Sequence, residues 1–141
     1  EAHLVEYGSD SRAQQAASNV MRYFDSAARH HHEDEEQDLL PMMAAVAKGQ
    51  NAERLALLGG HILREHAVLE RGWHALRDSL ESVAHGENLH LDARKVNEFC
   101  ALYRAHMVLE ENDLYPLAVQ LLDATALATL GKRMAARRGV T

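Results

Sequence analysis

The chain has a single cysteine, Cys100, so no disulfide can form within its 141 residues and a stapled small-domain fold is excluded. That usage fits a reducing, cytoplasmic compartment. Cys100 lies between Phe99 and Ala101 in a helical stretch and reads as a small apolar filler. Aromatic residues are scarce at 5%, and Gly and Pro number only eight and two. Strand-like runs of Val, Ile and Thr are missing while Ala and Leu abound, which disfavours a sheet and points to an all-α domain. No apolar run reaches the length of a membrane span, and no secretory leader is visible. A surplus of positive charge is also missing. The net charge of −6 disfavours nucleic acid and anionic membranes as partners.

What the chain does have is apolar residues at 47% and ten histidines. The first suits one domain, residues 1–141, with a substantial core. The second favours metal binding. Residues 1–7 read as the last turns of a helix, and Gly8-Ser9-Asp10 as a stop followed by an N-cap. Helical patterns then run over about 11–47, bent near Pro41, about 52–85, and about 92–122. Lys48–Asn51 and His85–Asn88 separate them, and Gly59-Gly60 is a weak spot in the middle one. Asp123 caps a last short helix near 124–136, whose Lys132, Arg133, Arg137 and Arg138 suit a helix C-terminus. Three long helices with short connections pack as an up-down bundle. The usual bundle has four, and residues 1–7 read as the end of the fourth, most of whose length the given chain lacks.

The segment His31–Pro41, HHEDEEQDLLP, returns 75 positions later as His106–Pro116, HMVLEENDLYP, with six of eleven positions identical. Each copy holds a His-x-x-x-Glu pair, and residues four apart stack on one helix face. The three consecutive histidines His30, His31 and His32 point about 100° apart, so at most one faces the bundle centre squarely. The apolar stripe Val20, Phe24, Ala28, Leu39, Met42 takes in His31 and Glu35, leaving His30 and His32 to flank the core. In the next helix the stripe Leu55, Leu58, Ile62, His66, Leu69, Trp73 takes in His66, with Glu70 as its i+4 neighbour. His61 and Glu65 have the same spacing but lie off that stripe. In the last long helix Val96, Phe99, Tyr103, His106, Glu110, Leu114 puts His106 and Glu110 at the centre.

Height gives a second test. His31 precedes Gly49 by 18 residues and His66 follows it by 17; His66 precedes Gly86 by 20 and His106 follows it by 20. Antiparallel helices bring such residues to one layer. Three carboxylates in one apolar layer need compensation, and a cation is their natural partner. His31, Glu35, His66, Glu70, His106 and Glu110 are therefore the candidate metal ligands. Imidazoles with carboxylates inside a helical bundle suit two iron ions, with manganese or zinc as substitutes.

HHEDEEQDLLP, EHAVLERGWHAL and YRAHMVLEENDLYP, in that order, make the chain resemble a hemerythrin-like, HHE cation-binding domain over about residues 11–122. The resemblance implies a four-helix bundle around a non-haem di-iron centre, with His31, Glu35, His66, His106 and Glu110 as ligands and Glu35 and Glu110 bridging. The chain departs from the oxygen carriers of the family, which use His-x-x-x-His in the third helix and His-x-x-x-x-Asp in the fourth. The more carboxylate-rich set here favours the higher iron oxidation state and resembles relatives linked to iron-centre repair, nitric oxide or redox sensing. A first-helix histidine is expected upstream of Glu1, because His3 lies only five residues from the Gly8 turn. Without that helix the expectation is weakened metal binding, or a homodimer that supplies the wall.

Three functions follow as expectations. The first is a di-iron module that binds or senses O2, NO or redox state, or handles iron. The second is a di-iron oxidase or reductase acting on O2, peroxide or NO. The third is a structural bundle with a relic site.

Overall fold

Breaks in the chain fall where an L side chain is disfavoured: Gly49 and Gly86 take φ of +58° and +87°, in the left-handed region that glycine reaches at no steric cost. Between them the Ala- and Leu-rich stretches wind up in a computed structural model that describes residues 1–87 and 91–140. Asn88, expected in the second break, lies outside the described residues. The protein is an all-α helical bundle, with no strand among the described residues. Helix α1 is Ala2–Tyr7, α2 runs over 11–46, α3 is Gln50–Ala84, α4 runs over 93–121, and α5 is Ala124–Arg137. Asp10 and Asp123 cap α2 and α5 by accepting from the backbone N–H of Ala13 at 2.9 Å and Ala126 at 2.8 Å.

Helices α2 and α4 are not uniform. Each widens into a π-turn, at Asp34–Leu39 and Glu110–Leu114, where Leu40 and Tyr115 donate five residues back to Glu35 and Glu110. A further π-turn occupies Tyr23–Ala27. The first two are the two copies of the repeat, and each is followed by its proline, Pro41 or Pro116, near the start of the next α-turn. Proline lacks the N–H and crowds the carbonyl four residues back, and the widened turn accommodates the ring. The π-turn also sets the register. In an α-helix a step of four overshoots by about 40°, so residues four apart drift off a face. The extra residue of the π-turn absorbs that drift, and Glu35, Leu39 and Met43, like His106, Glu110, Leu114 and Ala118, are all buried at steps of four.

The chain forms two compact units. One comprises Glu1–Ala28 and Ala67–Arg104. Leu69, Trp73, Leu76 and Phe99 form its main core with Met21, Phe24 and Tyr103 against them, and Phe24 stacks on Trp73 at 4.7 Å. A smaller cluster of Ala13, Ala17 and Val83 lies nearer α1. Here Asp25 accepts from Trp73 Nε1 at 2.9 Å and from Arg77 Nε at 2.9 Å. His3 pairs with the capping residue Asp10 at 2.9 Å, which accounts for it without a metal.

The other unit comprises Arg29–His66 and Ala105–Thr141 and holds the metal-ligand candidates other than Glu70. Its core is Leu39, Leu40, Met43, Leu55, Ile62, Leu114, Leu117, Ala118 and Leu122. Each of its Leu, Ile and Met side chains removed from water contributes about 1.5–3 kcal/mol. The basic end of α5, read from sequence as a helix terminus, reaches across to the Asp34–Leu39 π-turn. Arg137 bonds Asp34 and, at 2.6 Å, Asp38; Arg138 bonds Asp34 at 2.7 Å and Arg133 bonds Asp38 at 3.1 Å. The two aspartate side chains are only 5% and 8% exposed, so the arginines compensate charges that would otherwise be costly to bury.

Candidate metal centre

His66 on α3 and His106 on α4 point their Nε2 atoms at each other, 3.1 Å apart. Both Nδ1 atoms are engaged elsewhere: His66 Nδ1 lies 2.7 Å from Glu36 Oε1 and His106 Nδ1 lies 2.8 Å from Glu65 Oε2. An ionised carboxylate only accepts, so each Nδ1 carries a proton, and each Nε2 is the nitrogen turned inward toward the other ring. Glu35 and Glu110 join them, and one donor atom from each of Glu35, His66, His106 and Glu110 falls within 4.8 Å of the others, all four residues being buried.

The carboxylates face a second direction as well. Glu35 Oε2 lies 3.7 Å from His66 Nε2, whereas its Oε1 lies 2.8 Å from His31 Nε2. Glu110 Oε1 lies 2.5 Å from His106 Nε2, whereas its Oε2 lies 3.2 Å from His31 Nε2. Tyr115 Oη stands 2.8 Å from Glu110 Oε2 and 3.2 Å from His31 Nε2. The imidazole of His31 is the outer member, 40% exposed.

Both oxygens of Glu35 and Oε1 of Glu110 are buried yet make no hydrogen bond of acceptable geometry, although ring nitrogens stand close. Buried carboxylate oxygens in that state are costly unless a cation takes their lone pairs. Imidazole nitrogens and carboxylate oxygens are the donor set of iron, manganese and zinc, so the residues fit a metal. The titration behaviour follows from the same crowding. Hydrogen bonding to Glu110, with the Glu35 carboxylate charge close by, pushes His31 up to about 10, so a proton there answers the negative charge that a metal would neutralise. Burial pushes Glu35 up to about 7, with the neighbouring Glu110 adding to it. Burial pushes Glu110 the same way, but His106 and His31 overcome it and hold Glu110 well below the carboxylate range. Burial and the Glu110 charge push Tyr115 up.

Five of the six residues expected from sequence come together: His31, Glu35, His66, His106 and Glu110. Glu70 does not. Its side chain is 73% exposed and lies 3.8 Å from His74. The reason is the helix itself. α3 is α-helical throughout, and its buried residues Ile62, His66, Leu69, Trp73 and Leu76 alternate steps of four and three. On that regular helix Leu69 and Trp73 fall about 60° and 20° to one side of His66 and Glu70 about 40° to the other, away from the buried seam.

Four residues were not picked out as site residues by sequence. Glu36, identical with Glu111 in the repeat, and Glu65, next to a ligand, fix the two tautomers; their place in the layer was a usable signal. Tyr115 is the residue where the repeat departs from Leu40. His32 was expected to flank the core, and its ring stacks on His66 at 4.0 Å. Burial, with His66 beside it, pushes it down to about 3, and His32, His66 and His106 form a second group able to hold a metal.

A helical bundle with a buried His/Glu cluster defines the class: a metal-binding helical domain. The hemerythrin HHE cation-binding domain model matches residues 2–118, and the chain belongs to that family. It is also similar to an uncharacterized protein of Haemophilus influenzae, 29% identical over 138 residues that cover 98% of this chain and 77% of that protein. Among the described residues no helix is long and apolar enough to cross a membrane.

Proposed function

We propose that the chain is a non-haem di-iron domain that binds or senses O2, NO or redox state. The observation that carries this reading is the division of the two carboxylates: Glu35 and Glu110 each turn one oxygen toward His31 and the other toward His66 or His106. Bridging carboxylates do this between two metal ions. His66 and His106 would hold one ion and His31 the other, with Glu35 and Glu110 shared.

A pair of irons there would supply one-electron change and coordination positions for a small diatomic molecule. The protein's own part is preparation. Glu36 and Glu65 hold Nδ1–H in place, so that the Nε2 atoms face inward. The exposed edge of His31 gives a small molecule its approach. The single cysteine, half-buried Cys100, supports a reducing, cytoplasmic setting.

The test is metal analysis after anaerobic purification under reducing conditions, followed by absorption spectra with and without O2 or NO. Two irons per chain and a spectrum that responds to either gas are expected. Protein without iron or manganese would sink the reading.

A further inference from the structure

The geometry points to Tyr115 as a ligand of the His31 metal position through its phenol oxygen, an inference that rests on the two-metal reading above. The first copy of the repeat has Leu40 where the second has Tyr115, and Leu40 is buried in the apolar core. An aliphatic side chain therefore satisfies packing at this point of the motif. The ring of Tyr115 packs against the same core, and the hydroxyl is what the second copy adds.

That hydroxyl is aimed. Oη stands 2.8 Å from Glu110 Oε2 and 3.2 Å from His31 Nε2, the two atoms that face the His31 position from α4 and α2. Glu35 Oε1, 2.8 Å from His31 Nε2, is the third. The His66/His106 position has four protein donors, from Glu35, His66, His106 and Glu110. With Tyr115 the His31 position also has four. Phenolate oxygen is an established protein donor to iron(III). On ligation the Oη–H bond gives way to an iron–oxygen bond and the proton leaves to solvent; no electron changes hands.

The competing role is a hydrogen bond from the phenol to Glu110 alone, and spectroscopy separates the two. The full chain is loaded anaerobically with iron(II), oxidised with ferricyanide, and assayed for iron in parallel with visible absorption and resonance Raman. Wild type is expected to hold two irons and to show a phenolate-to-iron(III) charge-transfer band with tyrosinate ring modes. Tyr115→Phe, which keeps the ring, should retain two irons and lose both signatures, while Tyr103→Phe should keep them. Two irons without the signatures in wild type, or signatures that persist in Tyr115→Phe, overturn the proposal and leave the two-metal reading standing. Fewer than two irons in wild type overturns both.

Discussion

His66 and His106 meet Nε2 to Nε2 at 3.1 Å, each with its far nitrogen on a carboxylate of a neighbouring helix, Glu36 or Glu65. Both Nε2 atoms and the adjacent carboxylates of Glu35 and Glu110 thus converge on one point, the arrangement of donors around a cation. The outer carboxylates supply orientation and basicity.

Glu36→Gln and Glu65→Gln should each weaken metal binding about 10–100-fold, because the amide still accepts from Nδ1–H but brings no charge. A chelator-competition titration measures this. An unchanged far-UV spectrum would locate the effect at the site, and unchanged affinity in both variants would refute the orienting role.

His106→Ala should abolish stoichiometric metal, since His106 belongs to both groups of convergent donors. Glu70→Gln and His30→Ala should leave the metal content as in wild type. Loss of metal in Glu70→Gln would mean that the exposed position of Glu70 is not the one it takes when metal is bound.

Arg137 bonds both Asp34 and Asp38, and truncating it leaves two buried carboxylates with only Arg138 and Arg133. Arg137→Ala should destabilise the fold by about 1–3 kcal/mol. A double-mutant cycle with Asp38→Asn in urea unfolding should return a coupling of comparable size; strict additivity would show that the contact carries no stability.

Asp25 is held below its ordinary 3.8 by hydrogen bonding to Arg77, burial opposing and Trp73 assisting. A carboxylate depressed in the folded state adds stability above its unfolded value and loses it as pH falls toward the folded one. Wild type should exceed Asp25→Asn in unfolding free energy by a constant margin above about pH 5, and the margin should shrink below about pH 4. A margin independent of pH down to acid unfolding would exclude a charge-based role for Asp25.

Much of this was legible in the chain. The glycine breaks at Gly8, Gly49 and Gly86 bounded α2 and α3 to within a few residues, because positive φ is a local requirement that sequence states directly. The repeat named His31, Glu35, His106 and Glu110, and the layer argument added His66. Glu70 misled because the four-residue rule was applied to a helix without a π-turn. Steps of four stay inward around Glu35 and Glu110, where the helix widens, and drift outward on α3, where it does not.

Sequence by itself determined the all-α class, the helix boundaries and the types of donor, since each rests on local propensity and periodicity. Only tertiary structure decided which acids orient the ligands, that Tyr115 reaches His31, and that the basic end of α5 grips Asp34 and Asp38. Those contacts join residues 30–104 positions apart. Such pairings depend on how helices pack and turn against one another, which no local pattern encodes.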